Sequence, residues 1–215
     1  GALYVVDMHR GVIEHPEWIP DVVEATFDLR AGDDKGRIYR IVPQEGVPQA
    51  RPALGDAPLQ TLVDALAHPN KWWRDTAQRV LVERGDVEAT PLLRSLFHST
   101  DQPLGRLHAL WTLSGLGALE VDDLRRAFED SESGVRENAG VMAEDFLDDP
   151  GVLEVLASKS GDPNARVRLQ AALTLGGVDT PVAREALQAI LVRDVEAEWI
   201  RTAVLSAVES GDSEW

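Results

Sequence analysis

Apolar residues return at three- and four-residue steps along most of the chain after residue 57. Leu59, Leu62, Val63 and Leu66 form one such stripe, Leu92, Leu93, Leu96 and Phe97 a second, and Leu107, Leu110, Trp111 and Leu113 a third. This is the spacing of one buried face of an α-helix. The predicted helices fall into pairs: 58–67 with 70–84, 88–98 with 103–115, 121–129 with 133–146, 151–159 with 164–175, and 181–192 with 196–209. Polar or proline-bearing turns divide them, such as His68-Pro69-Asn70 and 160-SGDPN-164. In the third pair Val121, Leu124 and Phe128 supply one apolar face, and Val135, Ala139, Met142 and Phe146 the other. Ser131 or Ser133 is placed to cap the helix that follows. Pro181 sits in a first turn, where its missing N–H goes unused. Gly176-Gly177 reads as a helix stop.

The second helix of each pair repeats one signature: 72-WWRDTAQRVL-81, 104-LGRLHALWTL-113, 134-GVRENAGVMA-143, 166-RVRLQAALTL-175 and 199-WIRTAVLSAV-208. Aligned on Arg74, Arg106, Arg136, Arg168 and Arg201, the copies recur at steps of 32, 30, 32 and 33 residues. A unit this short cannot bury its apolar face alone, so the copies stack. The fold predicted is an all-α solenoid of about five helical hairpins. Three residues after each arginine lies a small side chain, Ala77, Ala109, Ala139 or Ala171, with Val204 beside Ala203 in the fifth copy. Such residues let neighbouring helices approach closely. The arginines stand at the end of the helix where the dipole disfavours a cation. A carboxylate in the preceding turn or a neighbouring repeat is expected to offset that, with Asp162 for Arg168, Glu132 for Arg136 and Asp101 for Arg106. A structural ladder holding the turns in register is the expected role, ahead of a ligand-binding row.

Residues 1–46 follow a different pattern. The stretches 3-LYVVD-7 and 37-RIYRIV-42 read as strands, separated by a loop holding Pro16, Pro20 and the tight turn 32-GDDKG-36. Two strands alone are marginal, so the pair is expected to pack on the helices or on a sheet that this chain does not carry. Pro43, Pro48, Pro52 and Pro58 mark a semi-rigid connection. The expected division is 1–46 for the strand segment, 47–56 for the linker and 57–215 for the helical array. The opening in 2-ALYVV-6 reads as a fragment or processed product of something longer.

The formal net charge is −16, from 21 basic and 37 acidic residues. With no basic stripe, this surface repels a phosphate backbone, so no nucleic-acid partner is expected. The acidic excess reads mainly as a solvated surface. The chain has no cysteine, which excludes thiolate nucleophiles, disulfides, cysteine-held zinc and covalent haem within it. No apolar run is long enough to span a membrane, so no direct membrane insertion is expected and the chain reads as soluble.

His9, His15, His68, His98 and His108 form no metal-binding motif. His9 and His15 share a loop with Asp7, Glu14 and Glu17, but local hydrogen bonding is the expected role. Asp33-Asp34, Asp122-Asp123 and Asp148-Asp149 border turns and read as caps or solvated pairs. The 32–36 turn lacks the spaced ligands of a calcium loop. No catalytic, cofactor-binding or metal residue is assigned. Of the six tryptophans, Trp111 and Trp199 read as core and Trp215 as a mobile terminal residue. Trp72 and Trp73 point about 100° apart on one helix, one inward and one able to cover the linker or strands. Trp18, Trp72 and Trp73 are the candidates for interaction or interdomain docking.

The segments 1-GALYVVDMHRGVIEHPEWIP-20, 32-GDDKGRIYRIVP-43 and 70-NKWWRDTAQRVLVERGD-86 resemble the junction in the large exported membrane-bound dehydrogenases of planctomycetes and related bacteria. That resemblance covers about residues 1–86; beyond it only the repeat period is shared. It implies the end of a β-propeller of the quinoprotein glucose/sorbosone dehydrogenase type, followed by HEAT-like repeats, in a periplasmic or exported bacterial setting. In its light 2–7 and 37–42 are a remnant of the last propeller blade. The chain lacks the further blades and any CxxCH, so the resemblance implies no quinone pocket and no haem here. The leading expectation is a non-catalytic HEAT-like scaffold for a protein partner or for its own upstream propeller, using the second helices as its concave side. Two alternatives stand beside it. One is the C-terminal fragment of a quinone-dependent sugar or alcohol dehydrogenase whose active site lies outside this chain. The other is a glycan-binding module using Trp18 or Trp72–Trp73.

Overall fold

The structure is a computed structural model that describes residues 2–13, 15–46 and 53–207. Glu14, Pro48, Pro52, most of the expected linker and Trp215 lie outside the described residues. The chain divides into two compact units, Gly1–Arg51 and Pro52–Trp215.

In the first unit β1 (Leu3–Asp7) pairs antiparallel with β2 (Arg37–Ile41), Leu3 opposite Ile41 and Asp7 opposite Arg37. A 3-10 turn at Pro16–Trp18 and the one-turn helix α1 (Asp21–Glu24) lie between them. The connection closes where Gly11 N–H donates to the Ala31 carbonyl at 2.9 Å. Gly32 makes that closure fit. Its φ is 83°, and a Cβ there would fall 1.8 Å from the carbonyl oxygen of His9.

The second unit is the helical array. Its first helices are α2 (Leu59–Ala65), α4 (Thr90–Ser99), α6 (Val121–Phe128), α8 (Pro150–Ser158) and α10 (Pro181–Arg193). Its second helices are α3 (Lys71–Arg84), α5 (Pro103–Gly115), α7 (Ser133–Met142), α9 (Ala165–Leu175) and α11 (Glu198–Ser206). Successive second helices pack side by side, α3 on α5, α5 on α7, α7 on α9 and α9 on α11. Among the first helices, α2 packs on α4, α6 on α8 and α8 on α10. Two layers therefore enclose one continuous apolar interior running from Leu54 to Val204. Leu62, Leu93, Leu110, Leu124, Leu156 and Leu187 fill it from successive hairpins. Ala77, Ala109, Ala139, Ala171 and Val204 are all buried, as close helix approach demands. Leu54 belongs to this core too, and Arg84 donates to the carbonyls of Gly55 and Ala57. Residues 54–57 thus pack as part of the array.

Several local expectations change. The helix expected to reach Phe146 ends at Met142 and tightens into a 3-10 turn, Ala143–Phe146. Neither Ser131 nor Ser133 caps α7. Its N-cap is Glu132, and the turn is held instead by Asp130, whose Oδ1 accepts from the Glu132 N–H at 2.8 Å. Gly176 does not stop α9 by turning left-handed, since its φ is −60°. A Cβ at Gly176 would lie 3.0 Å from that of Ala207, so its smallness serves the approach of the last repeat. Pro181 opens α10, where the Thr180 hydroxyl accepts from Ala183 N–H.

Candidate interaction surface

The anchor arginines lie at the turns between paired helices, and each reaches backwards. Nη1 donates to the carbonyl six residues earlier: His68 for Arg74, Thr100 for Arg106, Asp130 for Arg136, Asp162 for Arg168 and Val195 for Arg201, at 2.7–3.0 Å. The helix dipole is no obstacle, because the cation sits against turn carbonyls rather than over the helix N–H groups.

The carboxylate partner comes from the following repeat, not from the residues expected. Arg106 holds Asp130, Arg136 holds Asp162 and Arg168 holds Asp194, each through Nε and Nη2 to the two carboxylate oxygens at 2.5–3.0 Å. Asp101 and Glu132 act on Arg106 and Arg136 only through their charge. Asp162 serves Arg168 through its backbone carbonyl, while its carboxylate belongs to Arg136. Asp130 and Asp162 therefore each tie three groups: the arginine before, the arginine after and an N–H of their own turn, from Glu132 or Asn164. These paired turns are rungs of a ladder joining consecutive hairpins.

The rungs are shielded from water and fully ionised. Burial is the largest influence on Asp130 and Asp162 and would raise their pKa values. The arginine hydrogen bonds, the turn N–H and the nearby cations outweigh it, so both fall below the ordinary aspartate value. At Asp194 the Arg168 hydrogen bond dominates, and the direction is again downward. The arginines move the opposite way. Short, bidentate, charge-assisted pairs of this kind fix geometry as well as adding stability.

Arg74 departs from the others. It is buried, at 6% exposure, yet its Nε has no hydrogen-bond partner among the described residues. Thr100 stands where the later turns carry aspartate, and its Oγ1 accepts only from Gln102 N–H at 3.2 Å.

Five of the exposed large apolar side chains of the array lie on its second helices. Trp72, Leu104 and Trp199 all sit two residues before an anchor arginine and are 52%, 50% and 77% exposed. Trp199 is therefore not core: its position points away from the interior, like that of Trp72. Leu173 and Leu205 are exposed further along the same layer. Trp111 is half-buried, packs against the core, and donates from Nε1 to Asn138 Oδ1 at 3.0 Å. Trp73 also packs against the core and stacks on His68, with ring centroids 4.8 Å apart. Trp72 meets Trp73 edge-on. Trp18 is exposed in the first unit. In the first four hairpins no first helix exposes a large apolar residue; α10, with Val182 and Val192, does.

Polar contacts bind this layer across the repeats. His108 Nδ1 lies 2.6 Å from Gln78 Oε1, and Arg166 pairs with Glu137 at 2.9 Å. Burial, helped by the charge of Arg74, holds the His108 pKa below its ordinary value. Between α3 and α5 an open groove of about 460 Å³ is lined by Asp75, Gln78, Arg79, Val82, Trp111, Ser114 and Gly115. Among the described residues no three metal-ligating side chains converge, and no helix is long and apolar enough to cross a membrane. Among the described residues the acidic neighbour of His9 is Asp7 at 3.8 Å and that of His15 is Glu17 at 4.0 Å, whose N–H also donates to His15 Nδ1 at 3.3 Å.

Comparison with known families follows the same division. The family model described as HEAT repeats matches residues 59–144 and 121–209, which together cover well over half of the chain. The chain belongs to the HEAT-repeat family. Residues 1–45 match a separate model, described as a domain of unknown function (DUF7133). No curated protein and no solved structure matches the chain. In HEAT terms, the outward row at Trp72, Leu104 and Trp199 lies on the second helix of its repeats. Leu104, Leu173 and Leu205 were absent from the sequence-derived candidates. For Leu104 the signal was available in the fixed offset from the arginine, which it shares with Trp72 and Trp199.

Proposed function

We propose that the chain is a non-catalytic HEAT scaffold whose second-helix layer holds a protein partner. The segregation of exposed apolar residues carries this reading. Trp72, Leu104, Leu173, Trp199 and Leu205 share one layer, interspersed with Asp75, Arg79, Glu137 and Gln170, whereas the first helices of the first four hairpins present polar side chains. Large apolar side chains among polar neighbours are the composition of an interaction patch. The ladder supports the scaffold role by fixing the angle between hairpins, so that the row keeps its spacing. Photo-crosslinkers placed at Leu104 and Leu173, in cells making the parent protein, should give adducts that the same groups at Glu154 and Glu185 do not. Equal yields from both layers would overturn the assignment of the face.

A second reading concerns the strand unit: that it is the closing strand pair of a larger sheet, the propeller of an exported quinone-dependent dehydrogenase whose active site lies outside this chain. The exposure of β1 and β2 on both faces favours it. Leu3, Tyr4, Val6, Ile38 and Ile41 are all open, and a two-stranded ribbon so exposed is marginal in water. Quinone and calcium added to this chain should then produce no dye reduction, while a version with the upstream strands restored should reduce dye. Activity in the isolated chain would remove this reading.

A further inference from the structure

The turn that follows the first anchor arginine matches the later turns in everything but charge. Thr100 comes 26 residues after Arg74, the separation of Arg136 from Asp162 and of Arg168 from Asp194. Its carbonyl accepts from Nη1 of the next anchor, Arg106, as the carbonyls of Asp130 and Asp162 accept from Arg136 and Arg168. Its side chain accepts from the N–H two residues on, Gln102, as those aspartates accept from Glu132 and Asn164. Threonine, however, is uncharged and carries its oxygen on Cβ, whereas aspartate carries both oxygens one bond farther out. Arg74 completes the contrast. It is 6% exposed, and Nε, the nitrogen that holds a carboxylate oxygen in the three later rungs, is buried with no acceptor among the described residues. The carboxylates adjacent in sequence do not supply one: Asp75 accepts from Lys71, and Asp101 is exposed on the turn. A cation drawn out of water with an idle donor is costly unless something negative meets it.

We propose that the first rung is a binding site for a small monovalent anion of chloride size, held by Arg74 Nε and the Thr100 hydroxyl. The equivalence of the turns places that hydroxyl on the side from which the later aspartates reach their arginines. The oxygen accepts from Gln102, and its own hydrogen is left to donate. A threonine side chain has one heavy atom fewer than aspartate, so the room it leaves suits a single atom rather than a tetrahedral phosphate or sulfate. Water matches the size but brings no charge. The ion does between the first two hairpins what Asp130 does between the next two, so the register of that junction depends on the anion in solution. Both hairpins of this junction are present in the chain, and the site owes nothing to the outward row or to the strand unit.

The test is the melting temperature of the whole chain at fixed ionic strength, with chloride exchanged for gluconate, which is too large for the site. Chloride should raise it by several degrees, and the gain should level off with concentration as a site fills. In Thr100→Asp an attached carboxylate takes the ion's place, and in Arg74→Gln the cation is gone, so the gain should vanish in both. Thr100→Val keeps the shape without the hydroxyl and should weaken chloride about tenfold, the worth of one hydrogen bond to a charged group. Thr100→Ser should bind as the parent does. An equal gain in the parent, Thr100→Asp and Arg74→Gln would mean that chloride acts on the acidic surface in general, and would overturn the proposal. So would a parent indifferent to chloride, since water would then serve Nε. Crystals grown in bromide locate the ion directly. An anomalous peak beside Arg74 Nε supports the site, and peaks only elsewhere, an adventitious ion only, count against it.

Discussion

The first rung of the array and the three after it use the same arginine, the same backward reach to a turn carbonyl and the same buried alanine. They differ in one residue of the following turn. Arg106, Arg136 and Arg168 close on Asp130, Asp162 and Asp194, while for Arg74 the equivalent turn position is Thr100 and its buried Nε has no acceptor among the described residues. Packing and backbone hydrogen bonds are thus sufficient to form a hairpin junction. What the carboxylate adds is a charged tie between consecutive repeats. The two kinds of junction separate stability that comes from burial from stability that comes from ionic register.

Removing an interior cation should expose the difference most strongly. Arg136→Gln leaves Asp162 buried without its partner and should cost about 3 kcal/mol, the usual penalty for stranding half of a buried pair. Arg74→Gln strands no carboxylate and loses only hydrogen bonds to His68 and Pro69, so its cost should be about 1 kcal/mol. Urea unfolding of both variants measures the contrast, and equal losses would break it. Packing should show no such difference. Ala77 and Ala171 are buried alike, so either alanine enlarged to leucine should destabilise by about 2 kcal/mol. A marked inequality between those two would mean that the first junction is also looser in its core.

The ladder shows why some of this was legible in the sequence and some was not. Helix positions followed from periodicity, because burial of an apolar stripe leaves a three-to-four-residue trace in any sequence. The arginines stood out by recurrence. Their partners did not, because the choice among Asp101, Asp130, Glu132 and Asp162 depends on how far one hairpin is displaced from the next, which no local pattern encodes. Trp199 was misjudged for a related reason: an indole at the start of a helix fits a core or an outward face equally well by composition. Its equivalence with Trp72, two residues before an arginine, carried the right answer. In the strand unit, alternation located β1 and β2 but gave no indication of what covers their faces.

Restoring the missing rung is the constructive counterpart. Thr100 already accepts a turn N–H from Gln102 with its hydroxyl, as Asp130 does from Glu132 with one carboxylate oxygen. Aspartate at position 100 therefore keeps the turn and offers its second oxygen to Arg74 Nε. Thr100→Asp should stabilise by about 1 kcal/mol, a charge-assisted bond less the cost of burying a carboxylate. The gain should vanish in an Arg74→Gln background, which makes the double-mutant cycle the measurement that assigns it to the rung.

The smallest effect, and the most selective, is the response to acid. The rung aspartates have pKa values in the folded chain below those of the unfolded chain. Their contribution is therefore fully present above the ordinary aspartate pKa of about 4. It is lost as pH falls from there through the lower folded values, because the unfolded chain then binds protons that the folded one refuses. General acidification also relieves the repulsion of a strongly negative chain, so the slope of the parent alone mixes two opposing trends. Comparison within the ladder isolates the rung. Between pH 5 and the onset of unfolding, Thr100→Asp should lose stability more steeply than the parent, and Asp162→Asn less steeply. If all three melting curves moved in parallel with pH, the interior carboxylates would not differ in ionisation between the folded and unfolded chains, and the junctions would be held in register by packing alone.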